Sequence, residues 1–325
     1  MNSMTFASIR SAMSKGKQMM LSPTSGRLLS SFAALVFAAG LPALASAQTL
    51  ERIQSAGKIV LGFEANASPF SYADDAGQPN GFAIALCGKV VDEVKAQLGL
   101  SDLGVEWKPV QFDTRLDAVR DGAIDLLCGA DSITLTRRAE VSFSLPVFPS
   151  GTGAMMRADA PAALREILSQ DQLTARPIWR GAPARTFLQQ KTFAVLPGTV
   201  SEGWVKERML TLQLSSKLLP VNSVDEGIQN VLDGQADVFF GPLPVLLDAA
   251  LRNAQVGSLA VLNRQFTFEP LGFALARNDE DFRLLVDRAL SKTYRSDGFR
   301  DLFMRWFGPP DGDLVLFYKQ TVLPD

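Results

Sequence analysis

The sequence predicts an α/β fold in two lobes. Three observations carry that expectation. Strand and helix signals alternate in two successive series; a short stretch of the first series is echoed in the second; and 325 residues suit about two domains at roughly 150 residues each. Composition narrows the chemistry. There is no histidine, so neither a Ser-His-Asp nor a Cys-His nucleophile system can be built, and no imidazole metal ligand exists. Two cysteines cannot form a four-thiolate zinc site. With 32 Lys+Arg against 34 Asp+Glu, nothing marks a nucleic-acid binder. No cofactor and no metal are therefore expected.

The first series reads as strand Lys58–Phe63, helix Phe82–Leu98, strand Val105–Val110, helix Thr114–Arg120 and a buried strand Ile124–Cys128. The helix Phe82–Leu98 places Ile84, Val90, Val91 and Val94 on one side. The second series reads as strand Phe193–Leu196, helices Val200–Leu212 and Val224–Leu232, strand Ala236–Phe240 and helix Val245–Leu251. Such alternation implies parallel sheets. The echo joins V-R-D-G-A-I-D-L-L-C-G at 119–129 to V-L-D-G-Q-A-D-V-F-F-G at 231–241. Each copy is a helix end, an Asp-Gly break, a short strand and a glycine where the strand stops. Open α/β sheets bind ligands at such strand ends. The chain crosses between the series near Ser150–Arg157 and again near Phe266–Arg277. Helices Asp281–Tyr294 and Gly298–Phe307 follow, the latter with an aromatic stripe suited to core packing. Residues 158–191 combine a helix (Ala162–Leu168) with a loop bearing Arg176, Pro177, Arg180, Pro183 and Arg185. That loop is either surface decoration or a docking surface.

The N-terminus reads as an export signal. Arg10, Lys15, Lys17 and Arg27 precede an apolar run, Phe32 to Leu44, which ends in Ala45-Ser46-Ala47. The run is shorter than the ~20 apolar residues of a membrane span and is broken by Gly40 and Pro42. Cleavage after Ala47 removes four cations and no anion, taking the net charge from −2 to −6 over 278 residues. In an oxidising compartment, Cys87 and Cys128 can pair as a disulfide; two buried free thiols are the alternative.

Four stretches carry a family resemblance: L-E-R-I-Q-S-A-G-K-I-V-L-G-F (50–63), S-P-F-S-Y-A-D-D-A-G-Q-P-N-G-F (68–82), S-I-T-L-T-R-R-A-E-V-S-F-S-L-P-V-F (132–148) and F-A-V-L-P-G-T-V-S (193–201). From Leu50 to about Pro310 the chain resembles the family 3 extracellular solute-binding proteins, the periplasmic receptors of polar amino-acid ABC importers. The resemblance implies a type II periplasmic-binding-protein fold, two α/β lobes with two crossover strands as the hinge. Residues 48–152 would form the first lobe, 153–267 the second, and 268–325 a return to the first plus a C-terminal tail. It also implies a monomer in the periplasm that closes on a small amino acid, amine or carboxylate and delivers it to an inner-membrane ABC permease.

The resemblance points to six ligand-binding residues. Arg137 and Ser132 would hold a carboxylate, and a guanidinium fork suits one; a surface pair of Arg137 with Glu140 is the alternative. Thr199 and Ser201 sit where a strand turns into a helix, and helix N-termini hold anions. Phe112 matches an aromatic wall, or else packs in the core. Glu64 ends the first strand, where relatives that bind basic amino acids carry an acid; the alternative is a solvated loop residue. Three departures stand beside these. Pro242 occupies the place of the usual ammonium-binding Asp, with Asp248 a poor substitute. Ala85 replaces a frequent Asp, and Val200 a frequent hydroxyl residue. The implied function is that of a binding protein, not an enzyme. A cyclohexadienyl-dehydratase-like enzyme, with Glu202 or Glu269 as its acid, and a non-transport ligand sensor are the alternatives.

Overall fold

The computed structural model describes residues 49–169, 183–252 and 257–324. The export signal and the loop at Arg176, Pro177 and Arg180 lie outside them. The chain begins with α1 (Thr49–Ala56), β1 (Lys58–Glu64), the small strands β2 (Asn66–Ala67), β3 (Ser71–Ala73) and β4 (Pro79–Asn80), α2 (Phe82–Leu98), β5 (Gly104–Val110), α3 (Arg115–Arg120), β6 (Leu126–Ser132), α4 (Leu135–Arg138), β7 (Ser142–Phe143) and β8 (Phe148–Ser150). Next come β9 (Thr152–Arg157), α5 (Ala162–Ser169), α6 (Pro183–Leu188), β10 (Thr192–Val195), α7 (Val200–Thr211), β11 (Lys217–Pro220), α8 (Val224–Leu232), β12 (Val238–Pro242), α9 (Leu243–Arg252) and β13 (Leu259–Val261). The chain closes with β14 (Glu269–Leu275), α10 (Glu280–Arg295), α11 (Gly298–Phe307) and α12 (Gly312–Thr321).

Two separate sheets make the two lobes. The first runs β5-β1-β6-β14-β7, with β8 also on β14; the second runs β11-β10-β12-β9-β13. Three neighbouring strands in each are parallel: β5, β1 and β6 in one, β11, β10 and β12 in the other. The sheets are not parallel throughout, contrary to the expectation from alternation alone. β14 lies antiparallel to β6 and β9 antiparallel to β12, so each crossing enters its sheet against the direction of the strand it pairs with. The crossings touch. The Thr152 N–H donates to Thr267 Oγ1 at 2.8 Å, and that of Phe266 to the Thr152 carbonyl at 2.8 Å. A side chain at Gly151 would collide with the Thr267 carbonyl, so only glycine lets the two strands pass.

Several boundaries move. The strand expected at Ile124–Cys128 starts at Leu126 and runs on to Ser132, and that expected at Ala236–Phe240 runs Val238–Pro242. In both, the Asp just before the strand is occupied in hydrogen bonds to the neighbouring strand's start. Strands β11 and β13 and helix α12 escaped the sequence pattern. α12 is held by Tyr318, whose hydroxyl donates to the Val147 carbonyl at 2.8 Å. The aromatic stripe of α11 packs inward: Phe303 and Phe307 meet Phe82 and Phe148 with ring centroids 4.6–6.1 Å apart. Aromatic pairs at such spacings add ~0.5–1.5 kcal/mol each beyond burial. Cys87 on α2 and Cys128 on β6 form a disulfide, with Cα atoms 6.0 Å apart. Arg185 is buried and donates to the Gln213 carbonyl, so it belongs to the second lobe's own packing rather than to a docking face.

Candidate functional site

A cleft of about 220 Å³ opens where the C-terminal ends of the two sets of parallel strands face each other. All six sequence-designated residues line it: Glu64, Phe112, Ser132, Arg137, Thr199 and Ser201. Arg115, Asp131, Pro242 and Glu269 line it too.

The first lobe supplies the charges. Glu64 is the last residue of β1, and its side chain is only 12% exposed. Asp131 and Ser132 end the neighbouring strand β6. Gly129, two residues earlier, leaves room for the acids to converge. A Cβ built there would stand 2.9 Å from Glu64 Oε2 and 3.1 Å from Asp131 Oδ2. Arg115, at the start of α3, sits between them. It donates to Asp131 Oδ1 at 2.7 Å and lies 3.7 Å from Glu64 Oε1. A further N–H of the same guanidinium goes to the Phe112 carbonyl, and the group stacks 3.8 Å over the Phe112 ring. Phe112 is therefore a cleft wall whose face is covered by a cation.

Burial decides the titration of this group. Desolvation pushes Glu64 up from 4.5 to about 7; the pull of Arg115 and Arg137 only partly offsets burial and the like charge of Asp131. Burial also lowers Arg115, but Asp131 and Glu64 outweigh it and hold the guanidinium above its ordinary value. Asp131 is 3% exposed, and its Oδ2 has no hydrogen-bond partner. A buried carboxylate oxygen without a donor is costly, by ~1–3 kcal/mol or more.

Arg137 reaches across the cleft. It donates to its own lobe through the Ser132 carbonyl at 3.0 Å and to the second lobe through the Gly198 carbonyl at 3.2 Å. Burial lowers its pKa despite the attraction of Asp131. Its local position is set by α4, where Thr134 caps the helix by accepting the Arg137 N–H at 3.1 Å.

The second lobe supplies hydroxyls and backbone. Gly198, at φ 76°, turns the chain into α7. The helix end is capped from within: Thr199 Oγ1 accepts the Glu202 N–H at 3.1 Å, and Glu202 takes the Gly198 N–H at 2.9 Å. Part of the anion-holding capacity expected at this helix N-terminus is thus already used by Glu202. The Ser201 hydroxyl turns away from the helix axis toward Thr152, 3.0 Å off.

Glu269 joins the lobes. It opens β14, is 5% exposed, and accepts hydrogen bonds from Ser132 Oγ at 2.7 Å, Thr267 Oγ1 at 2.9 Å and, more loosely, Thr152 Oγ1 at 3.4 Å. Asp248 is remote from this chemistry and pairs with Arg252. The sequence reading missed Arg115 and Asp131 as site residues and saw Glu269 only as an enzyme's acid. One signal was present: Arg115 follows Phe112 by three positions, so a helical turn beginning there puts both on one side. Among the described residues no group of three acids or cysteines is arranged to hold a metal ion.

The sequence model of the bacterial extracellular solute-binding proteins, family 3, matches residues 59–309. The chain belongs to that family. Among curated relatives, the L-glutamate/L-aspartate-binding protein of Pseudomonas aeruginosa is 26% identical over 81% of this chain and 80% of its own. The glutamate/aspartate import solute-binding protein of Salmonella typhimurium is 23% identical over 83% and 82%. Among solved structures, an ancestral amino acid-binding protein, a precursor of cyclohexadienyl dehydratase, is 25% identical. It superposes with a TM-score of 0.65 over 80% of this chain and all of its own. The two-lobed fold is that of these type II periplasmic binding proteins.

Proposed function

We propose that this chain is the solute-binding protein of an ABC importer and that it closes on an amino acid or related small carboxylate. The observation that carries the reading is Arg137. It is a largely buried guanidinium that donates to both lobes across a cleft whose polar lining includes paired acids and hydroxyls. A carboxylate placed there would accept the same fork and hold the lobes together. Family membership and the names of the relatives support it. In this reading Glu64, Phe112, Ser132, Arg137, Thr199 and Ser201 contact the ligand. The lobes are 48–152 with 268–325, and 153–267. Residues 1–47 are a signal cleaved after Ala47, the mature protein is a periplasmic monomer, and its partner is an inner-membrane permease. Among the described residues no helix is long and apolar enough to cross a membrane.

Isothermal calorimetry with L-glutamate, L-aspartate, L-arginine and L-lysine tests this. Arg137→Ala should weaken the bound amino acid by ~2–5 kcal/mol; unchanged affinity rejects the assignment. For the enzyme alternative, Glu202 is a poor general acid. The hydrogen bond from Lys206 lowers its pKa, the wrong direction for a proton donor.

A further inference from the structure

The cleft holds three carboxylates, and they are not equivalent. Asp131 and Glu64 share Arg115. Glu269 has no such partner: among the described residues its hydrogen-bond donors are three hydroxyls, and no Lys or Arg side chain forms an ion pair with it. It is nevertheless nine-tenths buried and lies on the cleft wall. Neutral hydroxyls satisfy the geometry of a carboxylate without neutralising it, and Arg137 acts on it only from beyond ion-pair distance; a desolvated charge gains most from an added cation.

Its surroundings point to where that cation would sit. Thr152, one of the donors, lies directly opposite Pro242 in the β9–β12 ladder. Pro242 lines the same cleft and contributes no polar side-chain atom. On the other side, Arg137 feels the charge of Glu269. Ser132 connects the two, with its hydroxyl on Glu269 and its carbonyl on Arg137. A carboxylate site and a site for a positive group therefore stand side by side, bridged by one serine. That is the pattern an α-amino acid presents, an ammonium one carbon from a carboxylate.

We propose that Glu269 is the specificity-determining residue that receives the ligand's α-ammonium. This deepens the reading of the chain as an amino-acid receptor and rests on it. The ammonium takes the fourth position around the carboxylate and draws on Thr152 or Ser132 for its remaining contacts. Discrimination then comes from the hinge strand itself, whereas Glu64, Asp131 and Arg115 face the ligand's other end.

The test compares each amino acid with its counterpart lacking the α-amino group: L-glutamate with glutarate, and L-lysine with 6-aminohexanoate. Both members of each pair are titrated calorimetrically into wild type, Glu269→Gln and Glu64→Gln. Gln keeps the shape and still accepts the hydroxyl hydrogen bonds; circular dichroism checks the fold. Wild type should prefer the amino acid by about 30-fold or more, the loss typical of an unpaired buried charge. In Glu269→Gln that preference should fall to within about threefold. In Glu64→Gln both members should change together and the ratio persist. Persistence of the ratio in Glu269→Gln, or its collapse in Glu64→Gln instead, overturns the proposal and leaves the receptor reading standing. The Glu64→Gln arm decides even if Glu269→Gln does not fold. Binding of no amino acid to folded wild type overturns both.

Discussion

In the first lobe, α3 ends at Asp121 and Gly122 turns the chain at φ 71°; the Asp125 carboxylate then accepts the Val60 N–H at 2.8 Å and Arg52 at 2.5 Å. In the second, α8 ends at Asp233 and Gly234 turns at φ 71°; the Asp237 carboxylate accepts the Thr192 N–H at 2.8 Å and Lys191 at 2.9 Å. The backbones agree as well: the N–H of Asp125 goes to the Val60 carbonyl and that of Asp237 to the Thr192 carbonyl. The two turns are one device used twice, an acid that clips the start of a buried strand to its parallel neighbour. Beyond the glycines Gly129 and Gly241 the copies part. Gly129 leads to Asp131, Ser132 and Arg137, and so to charge. Gly241 leads to Pro242 and directly into α9. The construction is shared, and the chemistry is concentrated on one side of the cleft.

The comparison can be broken at three points. The largest effect concerns the disulfide, which only the first lobe has among the described residues. It closes a loop of 41 residues between Cys87 and Cys128, worth about 4 kcal/mol in the chain-entropy model. The double variant Cys87→Ala/Cys128→Ala should lower stability by about that amount in urea. Hydrogen exchange should show the loss in β1, β5 and β6 and not in β10–β12; equal loss in both sheets would mean the lobes do not differ in this way.

Next is Glu64. Its folded value of about 7 lies above the ordinary 4.5. Below 4.5 both folded and unfolded chains hold the proton, and Glu64 contributes no pH dependence. Between 4.5 and about 7 the folded chain holds a proton that the unfolded one has lost, so this residue's contribution falls as pH rises. The accumulated penalty is at most about 3 kcal/mol by pH 8. Glu64→Gln should therefore melt progressively higher than wild type as pH is raised from 5 to 8; parallel melting curves would remove the effect.

The smallest effect probes the shared device. Asp125 is 8% exposed and Asp237 31%. Deleting each leaves a strand N–H without its acceptor and takes a carboxylate from a neighbouring cation, at about 1.5–3 kcal/mol when buried and less when water can replace the carboxylate. Asp125→Ala should cost about 2–3 kcal/mol and Asp237→Ala about 1 kcal/mol in equilibrium unfolding. A reversed order would show that burial does not set the worth of the clip.

Much of the scaffold was legible because its signals are local. The apolar runs at Lys58–Phe63 and Phe193–Leu196, the 3.6-residue spacing of Ile84 to Val94, and the repeated Asp-Gly break each report on a few neighbouring residues. Strand β11 escaped because Lys217–Pro220 is half exposed and lacks a buried run. The antiparallel crossings escaped because direction is a property of the sheet, not of the strand. The site divides in the same way. Glu64 and Arg137 are found through the family resemblance, which places ligand-binding groups at and just after strand ends. Arg115 reads in sequence as any helix-surface arginine, and Asp131 as any polar residue near a turn. Their meaning arises only when β1, β6 and α3 bring two acids and one guanidinium together over Gly129. Glu269 is a further case. Nothing next to it in sequence except Thr267 predicts the hydroxyls that surround it.

The path of the chain also sets an order of assembly. Leu126 pairs with Leu275, and the whole second lobe lies between them in sequence. The second lobe has all its strands once Val261 has been made, whereas the first cannot complete its sheet until β14 emerges. The carboxylate cluster and Glu269 lie on opposite sides of that delay. A cleft with both halves of its lining therefore exists only after β14 has been made, and a chain cut short before β14 would carry all the strands of the second lobe with half a binding site.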